Sequence, residues 1–131
     1  MTNKDDAIQL KLKKARSFMD EVDFLVNSKF YLTAINRLYY SCFHATKALL
    51  LTKDLVPKTH SGVITMLNQE FVSRDLFDKS QAAFFSKLMQ ERIDDDYSDY
   101  LIVELDEIID FIEPSKEYLR YVESLISSIQ N

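Results

Sequence analysis

The sequence predicts an all-α fold: an up-and-down bundle of four long helices plus a short one, forming a single domain over residues 1–131. Three observations carry this expectation. One Gly and two Pro in 131 residues leave little of the turn chemistry that a fold of many tight connections needs. Apolar residues recur three and four apart over long stretches, which is the period of a helix face. A hydrophobic content of 47% is enough to give a chain of this size a real core.

The first helix is expected from about residue 5 to 27, where Ile8, Leu12, Ala15, Met19, Val22 and Val26 repeat with charged residues between them. After "NSK", Phe30 to Lys53 forms the second helix, apolar over a wider arc and therefore the most buried. The stretch "DLVPKTHSG" holds the only Gly and the first Pro, so it reads as a loop that exposes His60. A shorter third helix carries Val63, Ile64, Leu67 and Phe71, with Thr59 or Ser61 as its cap. Asp78 with Gln81 three residues later resembles a capping box that opens a fourth helix, whose core stripe is Gln81, Phe84, Phe85 and Leu88. The acidic run "DDDYSDY" interrupts or ends it. Ile108, Ile112, Leu119, Val122 and Ile126 then keep one helical register through Pro114, which predicts one last helix kinked at the proline rather than two.

Composition excludes several functions. A net charge of −5, from 16 Lys+Arg against 21 Asp+Glu, argues against indiscriminate nucleic-acid binding, where a basic footprint supplies most of the affinity. The basic run of Lys11, Lys13, Lys14 and Arg16 reads as a solvated helix face. A single cysteine, Cys42, rules out an intramolecular disulfide, and no stretch approaches the length of a membrane span, so a reduced, cytoplasmic setting is expected. Asp94, Asp95 and Asp96 lack the spacing and the glycine of a calcium loop, so no metal or other cofactor is expected.

Two places carry candidate chemistry. Arg37, Tyr40, Ser41 and His44 form a polar strip on the otherwise apolar second helix. Continuing the fourth helix by one turn from Leu88 lands on Arg92, a guanidinium aimed at the core side that needs a carboxylate, phosphate or ring to offset its lost hydration. Asp94, Asp95, Asp96, Tyr97 and Tyr100 follow directly. The expectation is that the strip faces Arg92, Asp96 and Tyr97 across an interior cleft, where two arginines hold phosphate and tyrosines stack on a base. A buried network that only keeps two helices in register is the alternative.

"NRLYYSCFHATKALL", "VPKTHSGV" and "RIDDDYSDY", in this order, resemble the signature segments of the HEPN domain family and of its small stand-alone branch. Arg37, Tyr39, Tyr40, Ala45, Ala48 and Leu49 carry the first segment, Lys58 to Gly62 the second, and Arg92, Asp96 and Tyr97 the third. The resemblance implies a helical bundle, pairing as a homodimer and, often, a minimal nucleotidyltransferase as partner. Many such proteins are metal-independent RNA endonucleases that use an Arg followed by a His in a late helix. Here Arg92 is followed by Tyr97 where that His would stand, and the only Arg-to-His pair of similar spacing is Arg37 with His44. The leading expectation is therefore a nucleotide- or RNA-binding accessory or antitoxin-like protein, with Arg37, Tyr40, His44, Lys58, His60, Arg92, Asp96 and Tyr97 as ligand-binding residues. The alternatives are an endoribonuclease using Arg92 or Arg37 with His44 or His60, and a purely structural interaction module.

Overall fold

The four-and-three spacing of Ile8, Leu12, Ala15, Met19 and Val22 becomes the buried stripe of helix α1 (Asn3–Asn27) in a computed structural model, which describes residues 3–96 and 103–131, with side chains to Glu91 and again from Val103. Asp5 and Asp6 lie in its first turn, where negative charge complements the helix dipole. The helix stops in a Schellman motif: the Lys29 and Phe30 amides donate to the Val26 and Leu25 carbonyls at 3.0 and 2.8 Å. Lys29 takes the left-handed conformation, φ 65°, that this motif needs. A three-residue link then turns the chain back into α2 (Tyr31–Leu51), and the bond from the Ser41 hydroxyl to the Ala15 carbonyl at 2.7 Å fixes the antiparallel register.

Helix α2 is the centre of the molecule, as its wide apolar arc predicts. Twelve of its 21 residues are buried, and it packs against all four other helices, so no face is left for solvent alone. Its buried hydroxyls are satisfied locally. Thr46 donates its one proton to the Cys42 carbonyl at 2.7 Å, so the Tyr118 hydroxyl, 2.6 Å away, donates to Thr46. Asp54 (φ 60°) closes the helix through bonds from the Asp54 and Leu55 amides to the Leu51 and Leu50 carbonyls.

Helix α3 (His60–Leu67) starts earlier than the loop-like sequence implies. Thr59 is its cap, accepting from the Gly62 amide at 2.9 Å, so His60, Ser61 and Gly62 form its first turn. A Cβ on residue 62 would meet Thr59 Oγ1 at 2.9 Å and Pro57 Cβ at 3.3 Å, so glycine lets the capping hydroxyl come this close. The chain continues as one wider π turn over Asn68–Val72 and closes with Asp75 at φ 57°.

Asp78 opens α4 (Lys79–Asp96) by accepting from the Ser80 amide and hydroxyl at 2.7 and 2.6 Å, which holds its carboxyl below its usual pKa. The buried stripe is Ala82, Phe85, Leu88 and Met89; Gln81 and Phe84, expected at its centre, sit half-buried at its edge. Helix α4 is described as far as Asp96, inside the acidic run expected to interrupt or end it, and Tyr97 and Tyr100 lie outside the described residues. Helix α5 (Leu105–Gln130) opens with a reciprocal capping box of Glu104 and Glu107 and runs unbroken through Pro114. Phe111 and Tyr118 join the expected stripe, whose member Ile112 is only half-buried. Among the described residues there is no strand, and no helix is long and apolar enough to cross a membrane.

Candidate functional site

Successive faces of α2 divide the candidate residues into two groups. Arg37, Tyr40, His44 and Lys47 follow one another at helical spacing along the seam with α1, whereas Tyr39 and Phe43 turn toward α3 and α4. Ser41, expected in the polar strip, is wholly buried and ties α2 to α1 through the Ala15 carbonyl.

On the α1 side, the Arg37 guanidinium bonds Glu21 at 3.1 Å and lies 5.4 Å from the centre of the Phe18 ring. Phe18 also packs against His44 at 5.7 Å and Tyr40 at 6.3 Å, and His44 stacks on Tyr40 at 6.2 Å. The described contacts of Arg37 and His44 are therefore with α1 and with their own helix, not across a cleft with α4. Burial, and then the ammonium groups of Lys14, Lys47 and Lys11, push the His44 pKa down to about 4, so the imidazole is neutral at physiological pH. Burial and the same α1 lysines lower Lys47, whose ammonium lies 5.3 Å from the Phe43 ring.

On the other side, the capped start of α3 delivers His60 onto α2. Its Nδ1 is 2.9 Å from the Tyr39 hydroxyl, and its ring lies 5.6 Å from Tyr39 at 16° and 4.7 Å from Phe43. Tyr39 is fully buried and stacks in turn on Phe85 of α4 at 6.4 Å. The second of the three sequence segments is thus joined to the first by a hydrogen bond and two ring contacts. His60 is a half-buried helix residue, not an exposed loop residue, and Lys58 beside it is exposed. On α4, Arg92 sits seven residues beyond Phe85 and four beyond Leu88, and Asp96 one turn further. The side chains of Arg92 and Asp96, and Tyr97 altogether, lie outside the described residues.

The arrangement offers an imidazole held by a phenol and walled by rings, and a separate lysine-lined seam around a neutral imidazole. Among the described residues no group of His, Cys, Asp and Glu is arranged to hold a metal ion. Cys42 is buried with its pKa pushed up to about 12, so it is no nucleophile. Sequence reasoning missed Tyr39 as the partner of His60 and Lys11, Lys14 and Lys47 as neighbours of His44. Lys11, Lys14 and Phe18 do share one face of α1, but only the antiparallel pairing with α2 shows what that face meets.

Comparison with known proteins gives a consistent answer. The HEPN domain family matches residues 8–125. A protein named UPF0332 protein from Thermotoga maritima is 30% identical over 130 residues, 99% of this chain and 98% of its own. Two proteins of Methanocaldococcus jannaschii, each named Putative toxin, are 38% and 36% identical. The alignments span 66% and 75% of this chain and 58% and 75% of theirs.

Proposed function

The chain belongs to the HEPN domain family, and from that premise we propose that it binds nucleotide or RNA, as an accessory or antitoxin-like partner of a nucleotidyltransferase. The observation that carries this reading is the Tyr39–His60 pair. It builds two of the family-like segments into one place, with Phe43 and Phe85 as walls and the exposed Lys58 beside them. Phe43 and Phe85 are buried and back the imidazole from the core. The half-buried His60 ring is therefore the face for a base and the exposed Lys58 the cation for its phosphates, the two components of sequence-tolerant nucleotide binding. Phe85 also fixes the register of α4 against this place, the helix that carries Arg92. Calorimetric titration with ATP, other nucleotides and transfer RNA tests the reading. Saturable heat that is lost in His60→Ala supports it; no heat with any of them overturns it.

The names of the two M. jannaschii relatives favour a second reading, a metal-independent endoribonuclease. Such cleavage needs a group that moves a proton from the 2′-hydroxyl near neutral pH and a cation on the phosphorane oxygens. His44, with its pKa near 4, is a weak proton acceptor at pH 7, so the reading places His60 with Arg92 in those roles. It predicts cleavage of transfer RNA in EDTA that stops in folded His60→Ala and Arg92→Ala proteins and survives in His44→Gln. Intact RNA after prolonged incubation with the wild type excludes it.

A further inference from the structure

We propose that the α1–α2 seam around His44 is a separate track for the sugar–phosphate backbone of single-stranded RNA, leading to the His60 site. The inference rests on the RNA-binding reading above and extends it from a ligand contact at His60 to a strand spanning two sites.

The antiparallel register brings the ammonium groups of Lys11 and Lys14 from one helix to that of Lys47 from the other. All three act on the same imidazole. Like Lys79, Lys87 and Arg120, none of them, nor Lys13, forms an ion pair with a described residue; what sets Lys11, Lys14 and Lys47 apart is that they surround one imidazole. Three like charges held together without a carboxylate raise each other's energy, and an anion relieves that repulsion. Lys14, with Lys13, also borders an open groove of about 450 Å³ lined by Leu10 and Ser17, so this end of the cluster faces accessible space. Glu21, the carboxylate next along the seam, is engaged by Arg37.

Two features favour a strand over a small anion. From Lys11 to Phe18 the seam is seven residues of helix, about 10 Å long, with half-buried rings of Phe18, Tyr40 and His44 at one end. Phe43 then links the two sites, with the His44 ring 5.6 Å and the His60 ring 4.7 Å from its own and the Lys47 ammonium above it. A chain whose phosphates lie along the lysines passes on to His60; a mononucleotide at His60 does not occupy the seam. The overall charge of −5 makes the track local, a stripe on an otherwise repulsive surface.

The test is fluorescence anisotropy with a labelled single-stranded RNA of about 12 nucleotides, measured across a series of KCl concentrations. Wild type is compared with Lys11→Gln/Lys14→Gln/Lys47→Gln and with a control of equal charge change, Lys79→Gln/Lys87→Gln/Arg120→Gln. Each lysine on a single strand contributes about 0.7 to the slope of log K against log salt. The seam variant is expected to lose about 2 from the slope and at least tenfold in affinity, with the control near wild type and ATP affinity unchanged. The double variant Lys11→Gln/Lys14→Gln leaves Phe43 and Lys47 in place and is expected to lose about 1.4. An unchanged slope in the seam variants, or an equal fall in the control, overturns the track while leaving RNA binding at His60 standing. Failure of the wild type to bind any RNA overturns both.

Discussion

His44 and His60 share a neighbour in Phe43 yet stand in opposite chemical surroundings. His44 projects from the middle of a long helix among three ammonium groups, and burial and repulsion keep it neutral. His60 opens a short helix and is held through Nδ1 by a buried phenol. The sequence offers two histidines of equal standing; their partners give them different work. One lines a surface where cations dominate, and the other is an imidazole oriented by a buried phenol.

Four substitutions break or sharpen that contrast. The largest effect is expected from Tyr39→Ala, which empties a fully buried ring site and should cost about 3–5 kcal/mol in urea denaturation, while Tyr39→Phe should cost only about 1 kcal/mol for the lost hydrogen bond. If the pair orients His60, the Phe variant also shifts the His60 imidazole nitrogen resonances and leaves those of His44 in place. The second effect concerns pH. Because the folded pKa of His44 lies near 4 and the unfolded value near 6.5, the unfolded chain binds the extra proton between them. Its contribution is therefore fully present above pH 6.5 and is lost as pH falls to 4. For a half-exposed ring, solvent screening trims this to about 1–2 kcal/mol. Urea melts of His44→Gln should show a flatter stability profile over that window, and an unchanged profile would show that the ring is not shielded. Third, Thr59→Ala removes the α3 cap and should cost about 1 kcal/mol, loosening His60 alone. The smallest change belongs to Arg37→Gln, whose bond to Glu21 is partly exposed; a loss of about 0.5 kcal/mol or less is expected on denaturation.

The fold was legible because each long helix buries one periodic stripe, and the register of α5 survives Pro114. Thr59 is rightly among the candidate caps of α3, but "PKTHSG" carries the residues of a turn as well as those of a capped helix, so the sequence places His60 in an exposed loop instead of the first helical turn. Within the site, the spacing of Arg37, Tyr40 and His44 correctly put them on one side of α2. Periodicity within one helix does not say which neighbour that side meets, so the contacts of Phe18 on α1 with Arg37 and His44 were not foreseen, while the side chains of Arg92 and Asp96 and all of Tyr97 lie outside the described residues. The lysines of α1 read as a solvated face, and Lys13, Lys14 and Arg16 are exposed; the neighbourhood of Lys11 and Lys14 with Lys47, more than thirty positions away, is what one helix cannot show.

Three helix ends described above close on Lys29, Asp54 and Asp75 with positive φ, positions where glycine is the unstrained choice. Each holds a backbone penalty of up to about 1–2 kcal/mol, smaller for aspartate than for lysine. For anyone wishing to harden this protein against heat, these three hinges are where the margin lies. None of the three is at the Tyr39–His60 pair or among the lysines around His44, so the molecule can be made sturdier without rewriting what it touches.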